Sequence, residues 1–234
     1  MNHVLLMMGG SGTRFGAEVP KQFVEVEEQP VFSYVMDKYD RFNAVDSIVL
    51  VCHSSWVDYA DEWAKKLSIA KYAGTVAGGA TRSESVLNGL RKLAFFAEDE
   101  DIVLIHDATH PYLDEGSTAL AIHQAEKYGA STLARQQFDT VYRMDMDNNL
   151  VEVLPREEVV TGASPELFTF GPILKIYEQA TTDDFERYTS AGAIALANGI
   201  NMKVIPTDLV NLKITYRHDM ELFEQLFHGY YFKG

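Results

Sequence analysis

The run Gly9-Gly10-Ser11-Gly12-Thr13-Arg14-Phe15, followed by Pro20-Lys21-Gln22, holds the residue types best suited to chemistry in this chain. Glycines let a backbone turn sharply and set its N–H groups against phosphate oxygens, and Arg14 and Lys21 supply the positive charge that a triphosphate requires. A glycine-rich turn with two solvated cations is the plainer alternative. Position argues against it, because the run follows the apolar stretch Val4 to Met8 at the head of an alternating β/α chain. Two familiar nucleotide loops fail the match: the dinucleotide fingerprint counted from Gly10 needs a third glycine where Phe15 stands, and no Gly-Lys-Ser/Thr triplet of a P-loop occurs. A nicotinamide-dependent oxidoreductase is opposed on the same ground.

Further clusters fall at strand ends or in loops, where open α/β sheets place their ligands. In Gly78-Gly79-Ala80-Thr81-Arg82-Ser83-Glu84-Ser85-Val86 the glycines permit close approach of a base, and Arg82 and Ser85 are able to hydrogen-bond base or ribose. The same stretch fits a capping box, Thr81 to Glu84, at a helix start. His106-Asp107-Ala108-Thr109-His110-Pro111 ends an apolar run, and an acidic residue there suits Mg²⁺ beside phosphates or a polar substrate. Asp107 is read as functional, His106 as a satisfied histidine at the sheet edge. In Asn211-Leu212-Lys213-Ile214-Thr215 a lysine inside a strand-like run calls for an anion, unless the strand is an edge and the lysine faces water. Arg156, with Ser164-Pro165-Glu166 downstream, offers another anion contact whose direction is open.

The elements that must carry these residues are legible as alternation. Strand-like runs at Val4–Met8, Ile48–Cys52, Ile102–His106 and Ser131–Ala134 alternate with helical patterns near Val31–Tyr39, Trp56–Leu67, Ser83–Phe95 and Thr118–Lys127. This predicts a doubly wound, mostly parallel sheet with helices on both faces. From Phe138 to Pro155 the pattern changes: Val141, Leu150, Val151 and Val153 surround the turn-like Asp147-Asn148-Asn149, as in a protruding β-hairpin. The remainder returns to helix, strand and helix, the last around Met220 to Phe227.

The 234 residues, 47% of them apolar, suit one α/β domain, 1–234. A formal charge of −14 opposes a general nucleic-acid surface, so phosphates must be met locally by few cations. Apolar runs are too short for a signal peptide core or a membrane span, and a cytoplasmic protein is expected. Cys52, the sole cysteine, excludes an intrachain disulfide and reads as a buried strand residue.

The loop G-G-x-G-T-R with P-K-Q resembles the signature of sugar and polyol nucleotidyltransferases. Together the clusters resemble one family, the 2-C-methyl-D-erythritol 4-phosphate cytidylyltransferases and the related ribitol 5-phosphate cytidylyltransferases. That family's pattern is A-G-x-G-x-R, P-K-Q, G-G-x-x-R-x-x-S-V, H-D-x-x-R-P, D-T, T-P-Q-x-F and N-x-K-x-T. The matching positions are Gly10 to Arg14, Pro20 to Gln22, Gly78 to Val86, His106-Asp107, Asp139-Thr140 and Asn211 to Thr215, in order over almost the full length. Three positions depart: His110 precedes Pro111 where the family has arginine, Ser164-Pro165-Glu166 replaces T-P-Q, and spacing back from Lys213 puts the family's T-D threonine at Thr189, followed here by Ser190. A literal Thr182-Asp183 stands out of register, whereas Gly199 keeps it.

The resemblance implies a Rossmann-like nucleotidyltransferase that transfers CMP from CTP, with Mg²⁺ or another divalent cation, to a polyol phosphate, releasing diphosphate. It implies catalytic roles for Arg14, Lys21 and Lys213, and nucleotide binding by Gly9, Gly10, Ser11, Gly12, Thr13, Gly79, Arg82 and Ser85. Acceptor binding falls to Asp107, His110, Arg156, Ser164 and Thr189, with Asp107 also the candidate metal ligand. Residues 138–155 become a homodimerisation arm that carries Arg156 into the partner's site. The departures lie on the acceptor side and tilt the expectation toward ribitol, glycerol or another alditol phosphate, with methylerythritol phosphate as the alternative. A nucleotide-binding regulatory protein without turnover is the alternative of another class, opposed by the retained Arg14, Lys21 and Lys213.

Overall fold

The computed structural model describes residues 1–9, 19–208 and 210–230, apart from the side chains of residues 228 and 230. In chain order its elements are β1 (Asn2–Met8), β2 (Glu25–Val26), β3 (Gln29–Pro30), α1 (Val31–Arg41), β4 (Ser47–Cys52), α2 (Val57–Lys66), β5 (Tyr72–Ala77), α3 (Arg82–Leu93), β6 (Ile102–Asp107) and α4 (Glu115–Tyr128). There follow β7 (Ala130–Gln136), β8 (Val141–Met144), β9 (Leu150–Leu154), β10 (Val160–Thr169), α5 (Phe170–Gln179), α6 (Thr182–Arg187), α7 (Ala191–Ala197), β11 (Lys203–Pro206) and α8 (Arg217–Tyr230).

Seven strands form one sheet in the order β11-β7-β10-β6-β1-β4-β5. β10 runs antiparallel to β6 and β7, and the other pairs are parallel. The central strands read as nearly continuous apolar runs because both faces are covered. Strand alternation sorts them: Val4, Leu6, Met8, Ile48, Leu50 and Cys52 pack under α1, α2 and α4, whereas Leu5, Met7, Val49 and Val51 pack under α3, α5 and α7. A third cluster joins Val26 and Tyr34 to Leu212, Ile214 and Phe223, docking α8. Cys52 is fully buried, and burial pushes its thiol up to about 12.

The chain builds outward from β1 to β4 and β5, then returns to place β6 on the other side of β1. The carboxyl ends of β1 and β6 therefore flank a topological switch point, the place where such sheets open a crevice for ligands. Gly9 leaves β1 there, and Asp107 ends β6 in register with Met7. β6 lies inside the sheet, so His106 is not at its edge as the sequence suggested.

The expected hairpin is present as a separate two-stranded sheet of β8 and β9. Its turn is organised by Asp145, whose carboxylate accepts from the N–H groups of Asp147 and Asn149 at 3.0 and 2.9 Å. Asn148 takes a positive φ of 64°, tolerable for asparagine in a turn. Two sheet strands were not foreseen. β10 contains Gly162 and Pro165, residues that argue against a strand, and its register shifts where Pro165 interrupts the ladder. β5 carries Gly74 at φ 116°, and its register against β4 shifts between Ile48 and Leu50.

Candidate functional site

Gly10, Ser11, Gly12, Thr13 and Arg14 lie outside the described residues, so the site is built from what surrounds them. At the end of the first loop the buried Gln22 donates its amide to the Met8 carbonyl at 2.7 Å. That bond ties the P-K-Q turn to the carboxyl end of β1. Phe23 stacks on Trp56 with ring centroids 4.3 Å apart, fixing the turn from behind. Lys21 is thereby set near His110, whose proton affinity its charge helps to lower.

The second glycine loop is braced by the helix it opens. The Thr81 hydroxyl accepts from the Glu84 N–H at 3.1 Å, and the Glu84 carboxylate accepts from the N–H groups of Thr81 and Ala80 at 3.2 and 2.6 Å, completing the predicted capping box. Ser85 donates to the Thr81 carbonyl at 2.9 Å and accepts from the Gly79 N–H at 3.0 Å. One lone pair of its hydroxyl remains, so Ser85 can still accept from a ligand but not donate. A Cβ on residue 79 would stand 2.3 Å from the Glu84 Cβ. Glycine is thus demanded here by α3 itself, a reason nearer to hand than the approach of a base. A Cβ on Gly9 would meet the Ser85 hydroxyl oxygen at 3.5 Å, so Gly9 lies beside the second glycine loop.

Asp107 is the hub. Its Oδ1 accepts from Arg82 Nη2 at 2.9 Å and Nε at 3.3 Å, and its Oδ2 from Lys213 Nζ at 2.9 Å. Burial alone would raise the carboxyl, but the charges of Arg82 and Lys213 hold it well below the usual carboxylate range. Arg82 also stands 3.9 Å from Glu166. Residues 211–215 form irregular chain rather than the strand-like run expected, anchored by Ile214 N–H to the Thr109 carbonyl at 2.9 Å. Lys213 still meets an anion as argued, one belonging to the protein, and its side chain stays half-exposed.

His106 and His110 are held neutral. His106 donates Nε2–H to the His110 carbonyl at 2.9 Å and accepts at Nδ1 from the Tyr39 hydroxyl at 2.8 Å, an assignment fixed by the partners. Complete burial pushes its pKa down to about 4. His106 is thus the satisfied histidine expected. The buried Ser164 donates to His110 Nδ1 at 2.7 Å, and its oxygen accepts weakly from the Asp107 N–H at 3.4 Å. Burial pushes His110 down to about 3, with Lys213 and Lys21 among the cations opposing its protonation. Where the resembling pattern has an arginine, this chain therefore presents a neutral ring.

A stability consequence follows for His106. Above pH 6.5 it is neutral in folded and unfolded chains and contributes nothing; as pH falls from 6.5 toward 4 only the unfolded chain gains the proton, so stability drops. Urea unfolding should show a drop in stability from pH 7 to pH 5 that is about 2 kcal/mol larger than in a folded His106→Gln variant, which keeps the corresponding loss from His110. Equal pH dependence in both proteins would contradict the buried neutral assignment.

Thr189 is exposed on the loop between α6 and α7. Next to it the Tyr188 carbonyl accepts from Ser83 at 3.1 Å, which brings the loop to the start of α3. Arg156 is not brought to the cluster within this chain. It stands at the foot of the hairpin, 57% exposed, donating to the Phe138 carbonyl at 3.0 Å and paired with Glu157 at 3.5 Å. Lys21, Arg82, Asp107, His110, Ser164 and Lys213 do converge. The sequence assigns no role to Gln22, Tyr39 or Glu166; Gln22 and Glu166 lie inside quoted motifs, and Tyr39 carries no signal beyond its place on a helix face.

The cluster offers cations at a switch point beside Gly9 and the second glycine loop, a neutral hydrogen-bonding histidine and a carboxylate, a set that can bind phosphates and stabilise charge on a phosphoryl group. A family profile described as IspD, 2-C-methyl-D-erythritol 4-phosphate cytidylyltransferase, matches residues 2–228. A 2-C-methyl-D-erythritol 4-phosphate cytidylyltransferase of Thermotoga neapolitana is 33% identical over 224 residues, covering 95% of each chain. A ribitol-5-phosphate cytidylyltransferase of Vibrio parahaemolyticus is 28% identical over 227 residues, covering 97% of this chain and 95% of that one. The crystal structure of 4-diphosphocytidyl-2C-methyl-D-erythritol synthase from Anaerococcus prevotii shares the fold at a TM-score of 0.79 and 22% identity, over 97% of this chain and 96% of that one.

Proposed function

Since the chain belongs to the 2-C-methyl-D-erythritol 4-phosphate cytidylyltransferase family, we propose that it transfers CMP from CTP to a small polyol phosphate, forming a CDP-alcohol and diphosphate. The observation that carries this reading is the convergence of Arg82 and Lys213 on Asp107, with Lys21 set toward His110, at the β1/β6 switch point. An oxygen of the acceptor phosphate attacks the α-phosphorus of CTP, the bond to the β-phosphate bridging oxygen breaks, and diphosphate leaves with that electron pair. The nucleophile is already an anion, so positioning and charge stabilisation dominate. Gly9 to Arg14 and Lys21 hold the triphosphate, Lys213 sits near the transferring phosphoryl, and Gly79, Arg82 and Ser85 hold the cytidine. Asp107, His110, Ser164 and Thr189 receive the acceptor.

Among the described residues no three ligand side chains group together as a protein-made cation cage. A cation that arrives with the nucleotide fits better, since Mg²⁺ beside phosphates needs only one or two carboxylates. Asp107 is the residue to offer one, and a bound divalent cation would neutralise charge on the phosphates.

The departures at His110 and Glu166, on the acceptor side of the site, tilt the reading toward an alditol phosphate such as ribitol 5-phosphate. The methylerythritol phosphate reading stays compatible with relatives of both names. Diphosphate release from CTP with each acceptor in turn tests the assignment.

The rest of the reading is of one catalytic unit, 1–234, working in the cytoplasm as a homodimer. Among the described residues no helix is long and apolar enough to cross a membrane. On the hairpin Tyr142, Met144, Leu150, Val151 and Val153 are all exposed, an apolar surface that a second copy would cover. Arg156 would then enter the partner's site. Mixing Arg156→Ala with Lys21→Ala protein should recover activity, because exchanged dimers hold one intact site. Measured subunit exchange with no recovered activity would refute the shared site.

A further inference from the structure

Glu166 stands on β10 opposite Ile105, one residue before His106. Its Oε1 accepts from the Gly192 N–H at 2.8 Å and its Oε2 from the Ala191 N–H at 3.2 Å, while Oε2 also faces Arg82 Nη2 at 3.9 Å. Arg82 in turn grips Asp107, and Asp107 grips Lys213. An unbroken line of charge thus runs from Lys213 to the first residues of α7. The 188–190 loop is clamped at both ends, by Ser83 on the Tyr188 carbonyl and by Glu166 on the two N–H groups after Ser190. Ser190 spends its own hydroxyl on the Ala193 N–H, so Thr189 is the side chain that the clamped loop presents outward. The buried Tyr177 lies within electrostatic reach of both Arg82 and Glu166.

We propose that Glu166 is a positioning residue for the acceptor, its carboxylate fixing the Thr189 loop through Ala191 and Gly192 and locking it to Asp107 through Arg82. The inference rests on the function proposed above, in which Thr189 and Asp107 meet the acceptor. The chemistry requires a carboxylate. Glutamine, the residue at this place in the resembling pattern, has one acceptor atom, and its amide would set a donor against either a backbone N–H or the guanidinium.

Steady-state kinetics on the full chain, with CTP and the better of ribitol 5-phosphate and methylerythritol 4-phosphate, test this. Glu166→Gln should raise the acceptor KM roughly tenfold while the CTP KM stays within about twofold, a split that a general loss of stability would not produce. Gly192→Ala is the second variant, because a Cβ there would stand 2.6 Å from Glu166 Oε1 and push the carboxylate off the loop without removing its charge. It should give the same split. An acceptor KM unchanged in both variants, or both KM values rising together, overturns the positioning role. No diphosphate release by the unaltered chain with either acceptor would instead overturn the function beneath it.

Discussion

Replacing Lys21 or Lys213 by Ala is expected to lower kcat by on the order of a hundredfold or more, with a smaller change in the CTP KM. Both lysines belong to the cluster proposed to bind phosphates, but they are held differently. Lys21 is fixed by a turn that Gln22 ties to β1 and Phe23 anchors on Trp56. Lys213 is half-exposed and paired with Asp107, so it can turn toward an arriving phosphate while Arg82 keeps the carboxylate in place. Negative charge builds on the leaving diphosphate and the pentacovalent phosphorus only as the reaction proceeds, which is why the loss should fall on turnover rather than on binding. Turnover within a few fold of the unaltered chain in both variants would remove these lysines from the mechanism.

Asp107→Ala is expected to combine a stability loss with a collapse of activity. Its carboxylate is 18% exposed and faces Arg82, itself 31% exposed, so removing it strands a largely buried guanidinium. The remaining partner of Arg82 is Glu166 at 3.9 Å, too long for a full hydrogen bond. The loss should be about 2–3 kcal/mol, below that of a fully buried pair because the Lys213 arm is open to solvent. The native stabilisation has a definite pH sense: a carboxylate held below its usual range stabilises above that range and ceases to do so as pH falls through its folded value. Asp107→Asn keeps the shape and one acceptor atom and should lose less. Chemical denaturation at pH 7 checks the ordering, and equal stability of the Ala variant and the unaltered chain would contradict the hub.

Much of this architecture is written in local pattern. The runs ending at Met8, Cys52 and Asp107 are apolar enough to be strands wherever they fold, and Thr81 with Glu84 announces the start of α3 by cap chemistry alone. Asp147 to Asn149 likewise marks the hairpin turn. β10 was illegible because its pairing is tertiary: Gly162 and Pro165 deny it a strand signature, yet it lies between β6 and β7 and carries Ser164 and Glu166 to the site. Lys213 was legible as a lysine needing an anion, but that the anion is Asp107, more than a hundred residues away, depends on how α8 and its preceding segment dock. Glu166 showed in sequence only as a departure from a family pattern. Its partners at residues 82, 191 and 192 are joined by the fold alone.

Phosphorus NMR of the reaction reads cytidylyl transfer itself. The chain, CTP and Mg²⁺ are incubated with ribitol, methylerythritol, erythritol or glycerol phosphate. At least one acceptor should give a new CDP-alcohol diphosphate signal growing in equal amount with free diphosphate, and neither should form without acceptor. No CDP-alcohol with any of these acceptors, or diphosphate released at the same rate in their absence, would contradict cytidylyl transfer.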